Sequence, residues 1–232
     1  MTIKIYDKVE QGSDEWLQLR CGILTASEMK LIITPTLKIA DNDKTRAHLY
    51  ELAAQRINNY VEPKYISDDM LRGHEEECYA RMHYENQNNC TVQEVGFITN
   101  DKLGFVLGYS PDGLIGDDGA IECKSRRQKY QLQTILAKGV PDEANLNCMI
   151  QLQTGLLASE RKWIDFISYC GGMPMMTVRV YPDDKLQSAI KEASESFNAK
   201  LEKMLYDYKA IISDKTMRFV ETERVIHEEI TL

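Results

Sequence analysis

In the N-terminal part of the chain, apolar positions recur at the three-to-four spacing of amphipathic helices. Within "GSDEWLQLRCGILTASEMKLII", Ser13 is placed to cap a short helix carrying Trp16 and Leu19, and Ser27 or Thr25 to cap the next. Pro35, Asp41 and Asn42 interrupt the pattern and predict a loop over residues 35–42. Leu49, Leu52, Ala53, Arg56 and Ile57 predict a helix from Lys44 to about Tyr60, and another starts at Ser67 or Asp68 and runs through "MLRGHEEECYARMHYENQ".

The period then changes. "TVQEVGFIT", "LGFVLGYS", "GLIG" and "AIECKS" are short, β-branched or aromatic, and divided by Gly, Asn and Asp, which predicts an antiparallel meander. Helical spacing returns in "RQKYQLQTILAKG", ending at Gly139, and in "DEANLNCMIQLQTGLLAS". Two more strands, "KWIDFISYC" and "MMTVRVYP", flank "GGMP". A long helix from about Asp183 to Ile212 carries Leu186, Ile190, Phe197, Leu201, Met204 and Leu205 on one core-facing side. Residues 213–232 read as a charged tail with a short apolar pulse at Phe219, Val220, Val225 and Ile226, to which the pattern assigns no structure. Strands bracketed by helices predict an α/β domain with a central mixed β-sheet flanked by α-helices, its core spanning residues 9–212.

At 232 residues the chain is long enough for one substantial core, and its 43% hydrophobic and 28% charged residues are those of an ordinary soluble domain. No stretch reaches the about 18 apolar residues of a membrane span, and "MTIKIYDKVEQG" lacks the basic start and apolar run of a signal peptide. The expectation is a cytosolic protein with no membrane partner. Cys21, Cys78, Cys90, Cys123, Cys148 and Cys170 form no C-x-x-C pair, which argues against a zinc knuckle or redox dithiol and for reduced, mostly buried thiols. A net charge of −8 disfavours diffuse nucleic-acid binding, so any DNA site must be a local basic channel or pocket. Basic residues bunch in "KIADNDKTR" (Lys38, Lys44, Arg46) and "KSRRQK" (Lys124, Arg126, Arg127, Lys129), patterns that a solvated surface would produce equally well.

The chemistry concentrates in "GYSPDGLIGDDGAIECKS". If "DDG" at 117–119 is a three-residue hairpin loop closed by Gly119 at positive φ, Leu114 pairs with Glu122 and Asp112 with Lys124. Alternation then places Asp112, Glu122 and Lys124 on one face and Ile121 and Cys123 on the other. Two converging carboxylates are hard ligands suited to Mg²⁺ or Mn²⁺, and the lysine adds a cation for a phosphate oxygen or an attacking water. Phosphodiester hydrolysis uses those parts. The motif is short, and a DG turn with a surface Glu–Lys pair would look the same.

"SPDGL" followed by "ECK" resembles the PD-(D/E)XK motif. With "VEQGSDEWLQLRCGILTASE", "GHEEE" and "MIQLQ" in order, residues 9–170 resemble the lambda exonuclease and YqaJ-type viral recombinase family. That resemblance implies a restriction-endonuclease-like core and an Mg²⁺-dependent 5′-to-3′ exonuclease on double-stranded DNA, with Mn²⁺ able to substitute, leaving 3′ overhangs for strand annealing. It places the metal on Asp112, Glu122, Glu77 and the Cys123 carbonyl, the catalytic lysine at Lys124 and a site glutamine at Gln151. It places a DNA 5′-phosphate on Arg20, Ser27 and Ser110. Met70 or Leu71 would be the wedge that splits the terminal base pair, and Lys38, Lys44 or Arg46 would follow the DNA groove. Glu77 lies four residues after Gly73, on one helical face, where a residue without a side chain lets the helix approach the sheet or the DNA closely. A ring-shaped homotrimer and a phage single-strand annealing protein are the implied partners. The chain departs from the family at Arg72, where lambda exonuclease has an aromatic residue, and in the loop at 35–46. A PD-(D/E)XK endonuclease and a catalytically inactive DNA-end-binding module are the alternatives.

Overall fold

The computed structural model describes residues 2–63, 65, 67–140 and 142–224, and over 142–146 the backbone alone. Local chemistry accounts for the helix starts. Ser13 accepts a hydrogen bond from the Trp16 N–H to open α1 (Asp14–Arg20), Asn42 does the same for Thr45 at α2 (Asp43–Asn58), and Ser67 for Met70 at α3 (Asp68–Asn88). A 3-10 helix over Ala26–Leu31 starts after Thr25, so Thr25 rather than Ser27 holds the cap position, without a side-chain cap bond. Further on, α4 (Gln128–Ala137) ends at Lys138 in the left-handed region, followed by α5 (Asp142–Ser159) and α6 (Asp184–Ile212), which Asp183 caps. The loop expected over 35–42 is a compact turn that returns the chain from Ile33 to Ile39.

The strands form two mixed four-stranded sheets. The first orders β1 (Ile3–Tyr6), β3 (Phe97–Asn100), β4 (Leu107–Tyr109) and β2 (Leu24–Thr25), with β2 parallel to β4. The second orders β5 (Gly113–Ile115), β6 (Gly119–Ser125), β7 (Trp163–Tyr169) and β8 (Met176–Val180), with β6 parallel to β7. This is the mixed α/β class that the pattern predicts, but the meander is cut in two. The chain leaves the first sheet at Tyr109 and enters the second at Gly113, and Pro111 in the joint has no N–H to continue a ladder. β1 and β2 go unpredicted because strands of four and two residues carry too little periodicity.

Both faces of the second sheet are covered. Ala120, Ile164 and Phe166 join Ile150, Leu152 and Leu156 of α5 and Ile190, Phe197 and Leu201 of α6 in the main core. On the opposite face Ile121 and Ile167 pack with Ala80 and Tyr84 of α3. Each of the isoleucines, leucines and phenylalanines among them contributes about 1.5–3 kcal/mol when fully buried. Asp165 of β7 is buried among partners: it accepts from Tyr84 Oη at 2.6 Å and from Arg179 Nε and Nη2 at 2.8 Å each. Cys148 and Cys170 are buried, but Cys78 is exposed on α3, so the thiols are less buried than their composition suggests. Among the described residues, no helix is long and apolar enough to cross a membrane. The tail is exposed and irregular from Ser213 to Arg224, and Val225 and Ile226 lie outside the described residues.

Candidate active site

The hairpin that carries the acidic motif differs in register from the expectation. Gly113 pairs with Ile121, Leu114 with Ala120 and Ile115 with Gly119, so the loop is Gly116–Asp117–Asp118 and the positive φ belongs to Gly116, at 50°. Gly119 lies in the strand instead: a Cβ there would stand 2.2 Å from the Trp163 ring, so packing across to β7 requires the glycine. The correction is two residues, an even number, so face parity survives. Asp112 consequently neighbours Glu122 rather than Lys124, and its Oδ2 accepts the Cys123 N–H at 2.5 Å.

Glu122 is 2% exposed, and both its oxygens are engaged. Oε1 accepts from Lys124 Nζ at 2.7 Å and Gln151 Nε2 at 2.6 Å, while Oε2 accepts from Tyr109 Oη at 3.2 Å. From the other side α3 brings Glu77 into a cavity of about 330 Å³ that Asp112, His74 and Arg81 also line. Arg81 lies 3.9 Å from Glu77, 3.1 Å from Glu94, and donates to the Asp112 carbonyl at 3.3 Å. The tertiary structure thus selects among the three glutamates: Glu75 faces solvent, and Glu76 accepts from Ser125 Oγ. Cys123 directs its side chain to the α3-side cluster. Gly73 does not serve close packing on the sheet, since nothing lies within 4 Å of where its Cβ would be.

The electrostatics are those of acids crowded together away from water. Burial, then repulsion from Glu122 and Glu77, raises the Asp112 carboxyl well above its usual range, against the opposing Lys124 and the Cys123 N–H. Burial also raises Glu77, with Arg81 and His74 opposing. Burial works against the charge on Lys124, but Glu122 and Asp112 outweigh it, and its ammonium is held more firmly than usual. The carboxylates of Asp112, Glu122 and Glu77 are hard oxygen donors, which fits a hard divalent cation such as Mg²⁺, although His74 and Cys78 also line the cavity. Such an ion would relieve the repulsion that raises the acids. The three are not drawn together as tightly as ligands around one ion. Among the described residues, the one His/Cys/Asp/Glu group whose ligand atoms lie within 4.8 Å of one another is Glu28, His48 and Glu51. In that second group the buried His48 stacks on Phe197, 5.6 Å between centroids; the hairpin site, where Lys124 lies beside Glu122, is the better match to hydrolysis.

A second cavity, of about 550 Å³, adjoins the first; Gln11 and His74 line both. It holds Arg20, whose guanidinium stacks 4.2 Å over Trp16 and donates to Ser110 Oγ at 3.2 Å and Thr25 Oγ1 at 3.4 Å. Burial lowers the Arg20 pKa, and Glu28 opposes. Met70 and Leu71, 57% and 54% exposed, line this same cavity. Ser27 stands at its edge: its Oγ is 3.4 Å from Thr25 Oγ1, and Thr25 takes the place beside Arg20 that the sequence reading gives to Ser27. Lys38, Lys44 and Arg46 are exposed and line neither cavity, and Arg46 is paired with Asp41 and Asp43. Gln11, Trp16, Thr25, His74, Arg81 and Tyr109 escaped the sequence reading. Only His74 and Arg81 left a signal, three before and four after Glu77 on the helical face.

The comparisons with known proteins identify the fold and the family. The structure superposes on a crystal structure of an alkaline exonuclease, LHK-Exo, from Laribacter hongkongensis with a TM-score of 0.76 at 30% identity, over 87% of this chain and 98% of that one. The same protein in complex with dAMP matches equally. A phage related exonuclease from Haemophilus somnus 129PT shares the fold at 13% identity, with a TM-score of 0.61 over 80% of this chain and 96% of that one. No curated protein matches the sequence. Residues 15–161, more than half the chain, match the YqaJ-like viral recombinase domain. That span includes both Arg20 and the carboxylate hairpin, and the chain belongs to the YqaJ-like viral recombinase family.

Proposed function

We infer that the protein is a divalent-metal-dependent exodeoxyribonuclease that degrades double-stranded DNA from 5′-phosphorylated ends in the 5′-to-3′ direction. The observation that carries this reading is the junction of the two cavities. Arg20 in one donates to Ser110, and only Pro111 separates Ser110 along the chain from Asp112, which lines the other with Glu77 and lies across the hairpin from Glu122. A terminal phosphate seated on Arg20 and Ser110 would therefore present a nearby phosphodiester to Asp112, Glu122, Glu77 and Lys124. The similar alkaline exonuclease and its dAMP complex support a mononucleotide product.

In this reading Asp112, Glu122, Glu77 and the Cys123 carbonyl would hold the metal, Mg²⁺ or in its place Mn²⁺, which when bound would supply a water of lowered pKa and neutralise developing charge. Gln151 and Lys124 fix Glu122, and Lys124 keeps a cation beside the reacting phosphate. Met70 or Leu71 separates the terminal base pair, and the open space beside Gly73 leaves room for DNA backbone. Family membership supports a ring-shaped homotrimer and a phage single-strand annealing protein as partner in the host cytosol.

The test incubates 5′-phosphorylated linear duplex, 5′-hydroxyl duplex and closed circular DNA with Mg²⁺ and with EDTA. Mononucleotides from phosphorylated linear ends, lost in EDTA, are the expected result. Cutting of closed circles would identify an endonuclease instead, and binding of ends without turnover an inactive end-binding module. Light scattering that returns a monomer mass on DNA would remove the ring.

A further inference from the structure

A third cavity, of about 200 Å³, opens on the α5 side of β6. Three cations line it: Lys30 from the end of the 3-10 helix, Lys124, and Arg126 just past the end of β6. Two amides, Asn147 and Gln151, and the Cys148 thiol complete the lining, which among the described residues contains no carboxylate. In a chain of net charge −8, surface cations are ordinarily compensated, and the neighbours of this cluster are: Arg127 is paired with Asp69 at 2.9 Å, Arg72 with Asp69 at 2.9 Å. Among the described residues, no carboxylate lies within ion-pair distance of Lys30 or Arg126. Arg126 also has a buried Nε with no hydrogen-bond partner, an N–H removed from water with nothing to accept it. Its guanidinium lies 5.6 Å from the Phe166 ring, an apolar support that orients the head without satisfying it.

Lys124 is paired with Glu122, but Lys30 and Arg126 have no ion-pair partner among the described residues, and with the two amides they suit an anion with several acceptor oxygens. The cavity borders the proposed cleavage site: Lys124 and Gln151 line it and both donate to Glu122 Oε1. Along the strand Arg126 lies two residues past Lys124, about 6.6 Å at the usual rise, comparable to the separation of successive phosphates in a nucleic-acid strand. We propose that Lys30, Lys124 and Arg126 form a second phosphate subsite, separate from the Arg20 pocket and flanking the cleavage centre. Its ligand is a phosphate group, either a diester of the bound strand or the monoester of a released nucleotide. The proposal rests on the nuclease reading above.

The test uses the full-length protein and the double variant Lys30→Gln/Arg126→Gln, with Arg126→Lys as charge-conserving rescue and Arg127→Gln as control. Binding of 5′-phosphorylated duplex is measured in Ca²⁺ against salt. A strand phosphate predicts that the double variant loses about 0.7–0.9 of the slope of log affinity on log salt, that Arg126→Lys restores it, and that one neutral methylphosphonate linkage in the DNA reproduces the loss without adding to it. A product phosphate predicts an unchanged slope and a several-fold rise in the inhibition constant of a deoxynucleoside 5′-monophosphate. If the double variant cleaves DNA with both quantities as in the wild type and an unaltered melting temperature, the subsite is overturned and the nuclease reading stands. If the wild type cleaves nothing, calorimetry with inorganic phosphate decides the cavity alone: binding abolished in the double variant supports it, and equal or absent binding in both proteins overturns it.

Discussion

Asp112 faces Glu122 across the β5–β6 hairpin, one pair outside the Gly113–Ile121 rung, so two acidic side chains share one face at a site closed on the far side by Glu77. Replacing either hairpin acid removes half of that pair. Asp112→Ala and Glu122→Ala should each lower DNA cleavage by more than about 100-fold, since even supporting partners of metal ligands are worth 10–100-fold, while end binding in Ca²⁺ persists. Cleavage within threefold of wild type would move the site elsewhere.

The raised Asp112 and Glu77 carboxyls make stability depend on pH in a defined direction. Each retains its proton more strongly folded than unfolded. Their contribution is therefore complete below the unfolded values near 3.8 and 4.5 and is lost as pH rises through the elevated folded ones. In EDTA the melting temperature should fall as pH rises from about 4 towards neutrality, and Asp112→Asn should flatten the decline. Millimolar Mg²⁺ should remove it. A profile identical with and without Mg²⁺ would contradict the crowding of acids.

Gln151 and Lys124 share one oxygen of Glu122. Gln151→Leu keeps the volume but leaves that oxygen with a single donor. Turnover should drop about 10–100-fold with KM for DNA ends little changed, measured by steady-state release of nucleotides. A change in KM alone would indicate a DNA contact rather than support of Glu122.

Arg20 is held by Trp16 and aimed at Ser110. Arg20→Ala should erase the preference for 5′-phosphoryl over 5′-hydroxyl ends, a loss of about 1.5–3 kcal/mol for a hydrogen bond to a charged group, or about 10–150-fold. Ser110→Ala should cost less. Equal activity of wild type on both kinds of end would show that Arg20 has another task.

Asp165 is buried with Tyr84 and Arg179 in a network that does not line either cavity of the candidate site. Asp165→Ala should destabilise the protein by about 1–3 kcal/mol by leaving the Tyr84 hydroxyl without an acceptor, with Arg179 free to turn to solvent. Urea unfolding measures that loss, and activity per folded molecule should remain.

Much of this was present in the chain before folding. Ser13, Asn42, Ser67 and Asp183 mark four helix starts because a cap bond joins residues three apart, and the apolar stripe of α6 follows from helical period. Asp112, Glu122 and Lys124 share a face because side-chain alternation depends only on counting by two, which is why a register error of two left the site intact. The rest depended on contacts between residues distant in sequence. The Trp163 ring, from another strand, decided that Gly119 belongs in β6 and Gly116 in the turn. The packing of α3 on the sheet chose Glu77 from three consecutive glutamates, and Asp69 on that same helix neutralised Arg127 while Arg126 was left facing a cavity. Short-range bonding and periodicity are properties of neighbouring residues, so the sequence determined them by itself; which charge meets which, and what is shut away from water, is settled only when separate segments are brought against one another.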